Sequence, residues 1–120
     1  MSEEDFDRLL LEAVDEGLSS IGESSKQAIY FHLEKGFRIK KHEIPCKIDG
    51  SAKAIEKIFG LGASFLEILI MKSLYRRIGL TVELHEPKDF TFTVYVAAAK
   101  QSFLRKKKAE EFVQCDHIEV

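Results

Sequence analysis

The stretch Gly62-Ala63-Ser64-Phe65-Leu66-Glu67-Ile68-Leu69-Ile70-Met71-Lys72-Ser73-Leu74-Tyr75-Arg76-Arg77-Ile78-Gly79 decides the fold. Its middle is apolar nearly all round, which is the pattern of a helix buried at the centre of a bundle. Glycines bracket it, and Gly79 marks its end. The spacing therefore predicts a central helix over 62–78. Gly60-Leu61-Gly62 just before it predicts a bend into that helix rather than a nucleotide loop, because the third glycine of a dinucleotide fingerprint is missing and no strand precedes it.

Moving toward the N-terminus, Ala52, Ile55, Ile58 and Phe59 mark a helix that ends at Gly60, with Asp49-Gly50-Ser51 as its turn or cap. Pro45 suits a first helical turn, so a short helix is expected over 41–48. Ile29 and Leu33, with Ala28, Tyr30 and Phe31, predict a helix over 25–35 that stops at Gly36, capped by Ser24 or Ser25. Phe6, Leu9, Leu10, Val14 and Leu18 recur at intervals of three and four and predict an amphipathic helix over 3–20. Glu3-Glu4-Asp5 place acids where the helix dipole favours them.

Toward the C-terminus, Leu80-Thr81-Val82-Glu83-Leu84 alternates and predicts a small β element near 80–84. Residues 90–96 read both ways. Phe90, Phe92, Val94 and Val96 alternate like a strand, while Phe92, Val96, Ala99 and Phe103 form a helical stripe. The alanine run 97–99 favours a helix over 92–108, with Thr91 as a cap. Residues 112–120 are expected as an extended tail. The whole chain, 1–120, reads as a single all-α domain: a compact bundle of about five or six helices around helix 62–78.

Composition bounds the function. The 120 residues are 45% hydrophobic and 32% charged, the balance of a globular domain rather than a disordered segment. The longest uninterrupted aliphatic run is Ile68-Leu69-Ile70-Met71, far short of the ~20 apolar residues of a membrane span. An acidic N-terminus and two cysteines point to a cytoplasmic chain with no disulfide framework. Cys46 and Cys115 are expected as free thiols, with Cys46 buried and inert.

The net charge of −2 hides an asymmetry. Residues 1–36 sum to −6, residues 37–108 to +8, and residues 109–120 to −4. Either the acidic ends fold back on the basic middle, or the middle offers a basic face to nucleic acid or an acidic partner. Lys40-Lys41-His42, Arg76-Arg77 and Arg105-Lys106-Lys107-Lys108 are the basic clusters. The last two fall in last turns of predicted helices, where bases complement the dipole without any ligand. The order of helix 25–35, a turn at Gly36 and a short helix 41–48 mimics a helix-turn-helix. However, Ile44, Pro45 and Ile48 leave its second helix few groups that read base edges.

No phosphate loop, HExxH or paired CxxC is present. His32, His42, His85, His117 and the cysteines show no metal-ligand spacing, and no cofactor is expected. Glu67 conflicts with its apolar surroundings. It belongs either on a thin polar edge beside Ser64 and Lys72, or inside as a site acid needing a partner or a proton. With Tyr30 and a half-buried, hydrogen-bonded His32, it forms the candidate polar site of a helical pocket. The apolar stripe of the first helix reads first as packing against the central helix; its other reading is a candidate interaction surface, Phe6, Leu10 and Val14 with the bases Lys40, Lys41, Arg76 and Arg77. That arrangement would also suit self-association.

Ala28-Ile29-Tyr30-Phe31-His32-Leu33-Glu34-Lys35-Gly36-Phe37, followed by Ile39-Lys40-Lys41 and Glu43-Ile44-Pro45, resembles the Nitrosopumilus-type output domain of archaeal signal-transduction proteins. So does Ala54-Ile55-Glu56-Lys57-Ile58-Phe59-Gly60-Leu61-Gly62-Ala63 with Leu66-Glu67. The likeness covers roughly residues 10–79, and no match extends over 80–120. It implies a helical, non-enzymatic adaptor or output module acting through a protein partner in archaeal signalling, and it carries no catalytic residues. A nucleic-acid-binding regulator using the basic middle is the second expectation. A small-ligand sensor or enzyme with a pocket in the bundle is the third.

Overall fold

The computed structural model describes residues 2–80 and 91–119, with side chains for 3–80 and 91–106. The chain is all-α. Helix α1 (Ser2–Ser19) is followed by α2 (Glu23–Phe37), a 3-10 turn (Lys41–Glu43), α3 (Ile48–Phe59), a second 3-10 turn (Gly60–Gly62), α4 (Ala63–Ile78) and α5 (Phe92–Glu119). The β element expected near 80–84 lies outside the described residues, apart from Leu80.

α4 is central, as its composition requires. Leu66, Ile70, Met71 and Leu74 are completely buried, and α1, α3 and α5 all pack on it. α1 runs antiparallel along α4. Phe6, Leu10, Ala13, Val14 and Leu18 face inward, and Gly17 lets the two backbones close up. A β-carbon at Gly17 would stand 2.6 Å from Ile70 Cγ1 and 3.1 Å from the Ile70 backbone nitrogen. α4 ends where Gly79 turns left-handed at φ 79°, and the Leu80 N–H then donates to the Tyr75 carbonyl.

Several boundaries differ from the sequence expectation. α2 starts after Gly22 at φ 112°, with no cap from Ser24 or Ser25, and runs through Gly36. Its left-handed terminus is Arg38 at φ 57°, a conformation that L side chains adopt at some cost. The stop is set by the buried Ile39, whose N–H donates to the Leu33 carbonyl at 2.9 Å. α3 begins a turn earlier than expected. Asp49-Gly50-Ser51 therefore lies inside the helix, with Asp49 in the first turn where the dipole favours it. The short helix 41–48 is a single 3-10 turn plus an irregular turn, 44–47. It tucks Ile44 into the core and leaves Cys46 exposed as a free thiol, not buried as expected.

Over 92–96 helix prevails, and the strand reading is overturned. Phe92, Val96 and Ala99 are buried and Phe103 packs beside them at helical spacing, while the Thr91 carbonyl accepts the Tyr95 N–H. With no glycine or proline between 92 and 119, α5 continues through Glu119. The extended tail is thus replaced by helix, and Arg105 to Lys108 lie mid-helix rather than in a last turn.

Candidate functional site

One edge of α1 carries Glu12, Asp15 and Glu16 beside the buried stripe, and these carboxylates collect the basic middle of the chain. Asp15 Oδ1 accepts hydrogen bonds from Tyr30 Oη at 3.0 Å and Lys41 Nζ at 3.1 Å, and Oδ2 accepts one from Lys26 Nζ at 3.3 Å. Lys41 also stands 4.9 Å over the Tyr30 ring. Lys26 lays its stem along the core and divides its ammonium between Asp15 and Glu23. Burial alone would raise the Asp15 carboxyl, but the bonds from Lys41, Tyr30 and Lys26 outweigh it and hold the group lower. Burial, then the Asp15 charge, pushes the Tyr30 phenol upward.

One turn along, Arg77 donates to Glu12 at 2.9 Å and to Glu16 at 2.6 Å. Arg76 donates to Glu16 Oε1 at 2.8 Å, and the Ser73 hydroxyl donates to the same oxygen at 3.0 Å. Arg76, then Arg77, then Ser73, hold the Glu16 carboxyl down at about 2. A cleft of about 400 Å³, lined by Leu11, Glu12, Asp15, Glu16, Lys41 and Arg77, lies between the two clusters. Its polar groups are satisfied by one another. Here the acidic start folds back onto the basic middle, and Lys100 of α5 adds a longer contact of 3.9 Å to Glu3.

These pairs give a measurable pH signature. The Glu16 carboxyl is depressed in the folded chain, so its contribution is present above its ordinary value of 4.5 and fades as pH falls toward about 2. Its side chain is 40% exposed, so solvent screens much of the gain. Glu16→Gln should cost about 1 kcal/mol at pH 7 and low salt. That difference should shrink in 1 M salt and vanish as pH approaches 2, as followed by urea unfolding.

The residues singled out from sequence do not form one site. Tyr30 belongs to the Asp15 cluster. His32 is exposed against Phe31 rather than half-buried, because α2 turns Lys26, Ile29 and Leu33 inward instead. Glu67 is elsewhere, and only 5% exposed. The polar-edge reading fails because Ser64 and Lys72 point to solvent, while Glu67 shares the inner face with Ala63, Ile70, Met71 and Leu74. Burial, then the like charge of Glu56 on α3, pushes its carboxyl up to about 7. Phe6, Leu10 and Val14 are core, so the packing reading of the stripe holds and the docking reading is corrected. Lys41, Arg76 and Arg77 are engaged by α1, whereas Lys40 is exposed and it is its backbone N–H, not its ammonium, that donates to Glu43.

A feature missed from sequence lies on the outer face of α4. Leu61 is fully exposed at 101%, and Phe65, one turn on, is 62% exposed. Half-buried Ile68 and Leu69 continue the same face toward Lys72 and Arg76. The glycines flanking Leu61 were the available signal, since a residue at the tip of a corner has no layer above it.

Among the described residues no group of three or more His, Cys, Asp or Glu side chains is placed to hold a metal, and no helix is long and apolar enough to cross a membrane. The side chains of Cys115 and His117, and His85 altogether, lie outside the described residues. Compared with protein families, curated proteins and solved structures, the chain matches none of them.

Proposed function

We propose that this chain is a non-enzymatic protein-interaction module, of the adaptor or output kind, acting in archaeal signalling or regulation, and that it binds its partner on the outer face of α4. The observation that carries the reading is the adjacent, solvent-facing pair Leu61 and Phe65. Single exposed apolar residues need no explanation, but two large ones one turn apart, continued by Ile68 and Leu69, make a contiguous stripe. Covering each of the pair would contribute roughly 1.5–3 kcal/mol, enough for the anchor of an interface. Lys72 extends the stripe with positive charge, which favours a partner carrying carboxylates beside its apolar contact.

The resemblance of residues 10–79 to the archaeal output domain supports the signalling assignment. The nucleic-acid reading draws less support, because phosphates would have to displace α1 carboxylates from Lys41, Arg76 and Arg77. The sensor reading is weakened by the mutual satisfaction of the groups lining the α1 cleft.

The test compares tagged wild type with the double variant Leu61→Ser, Phe65→Ser, recovered from native cells and quantified by mass spectrometry. The variant should keep its stability within about 0.5 kcal/mol, as surface changes do. Proteins enriched on the wild type should fall at least tenfold. Recovery of the same set at the same level on both would contradict the reading.

A further inference from the structure

Glu67 is the only charged residue that α4 buries, and its Oε2 has no hydrogen-bond partner. A carboxylate in such a place is costly to ionise, and the protonated acid is the form that fits the packed state. The groups around it do not compensate. From α3 comes Glu56, of like sign. The α1 acids Glu12 and Glu16 are spent on Ser73, Arg76 and Arg77 further along α4. From α5, Lys100 reaches Glu3, and the Lys106 ammonium lies near Gly79 at the far end of α4. The Gly60–Gly62 turn brings no charge.

The element best able to yield is α3. It is the shortest α-helix among the described residues, and the side chains it buries fully are Ser51, Ala52, Ala54 and Ile55, mostly small, with Ile48 and Phe59 only partly buried against the core. The Ser51 hydroxyl is itself buried without a partner. So α3 keeps its larger apolar side chains mostly at the edge of the core, where a segment opens before the rest of the fold. Its end is Gly60 at φ 59°, which opens the 3-10 turn leading into α4.

We infer that α3 is a pH-sensitive flap: it packs on α4 while Glu67 carries its proton and loosens when the proton passes to water. The sign follows from the direction of the shift. The folded carboxyl is raised from 4.5 to about 7, so the closed state loses stability as pH rises between those values and levels off above them. The inference stands apart from partner binding at Leu61 and Phe65.

Hydrogen exchange at pH 6 and pH 8, corrected for intrinsic rates, tests it on the whole chain. The α3 amides should open more readily than those of α1 and α4, and their opening constant should rise roughly tenfold from pH 6 to pH 8. In Glu67→Met it should be flat. A titration of the Glu67 carboxyl by carbon NMR needs no variant and should show a midpoint near 7. The inference is overturned by a pH-independent α3, by an equal rise in Glu67→Met, by α3 opening no more readily than α1 and α4, or by a carboxyl titrating near 4.5.

Discussion

Gly17→Val should destabilise the domain by about 2–3 kcal/mol, because α1 and α4 touch at this point with no room for a side chain. Even the first added carbon meets Ile70 Cγ1, and the Ile70 backbone lies just behind it. A flexible side-chain end would swing aside, but the root of a β-branched residue in a buried helix will not. The helices must separate, and the surrounding core of Val14, Leu18 and Leu74 loses contact. Elsewhere in a helix, replacing glycine by a residue with a side chain is favourable. Gly36 in α2 has nothing within 4 Å of its missing β-carbon, so Gly36→Ala should be neutral or stabilising by up to about 1 kcal/mol. Chemical denaturation of the two variants should give opposite signs. Equal behaviour would mean that the α1–α4 contact is not the close one described.

Phe6→Ala should cost about 3–5 kcal/mol, the usual range for emptying a buried aromatic site. Phe6 is 1% exposed and packs on Phe103 of α5 with ring centroids 5.9 Å apart, so it joins the first helix to the last. A docking residue would behave in the opposite way, leaving the monomer's stability intact and weakening only an association. Thermal unfolding of the variant at several protein concentrations separates the cases. The core reading predicts a large loss of stability that does not depend on concentration.

What the sequence revealed and what it hid follow from the range of the forces involved. Helix 62–78 was legible because its apolar residues exceed what one face can hold, and Gly79 ends it by local backbone geometry. α1 was legible as a helix, and its stripe read as core before docking, but periodicity says which residues share a face and not what covers it. Gly36 misled because a glycine inside a helix costs only about 1 kcal/mol, which tertiary packing overrides. The buried Ile39 set the end instead, and no local rule marks it. The ion pairs of Asp15 with Lys41 and of Glu16 with Arg76 and Arg77 join residues 26 and about 60 positions apart. Charge sums hinted that the acidic start would meet the basic middle, but only the antiparallel crossing of α1 on α4 chooses the partners. Glu67 was recognised as out of place. Its burial depended on how the other helices pack around α4, which local pattern does not specify.

The most direct test of the account is site-specific photo-cross-linking in native cells, with a benzophenone amino acid placed in turn at positions 61, 65, 24 and 53. All four are exposed, so each carries the probe without disturbing the core. Positions 61 and 65 should give discrete heavier adducts, and position 24 on α2 and position 53 on α3 should give none. Adducts of equal yield from all four positions, or from 24 or 53 alone, would contradict the assignment of the α4 outer face as the partner-binding surface.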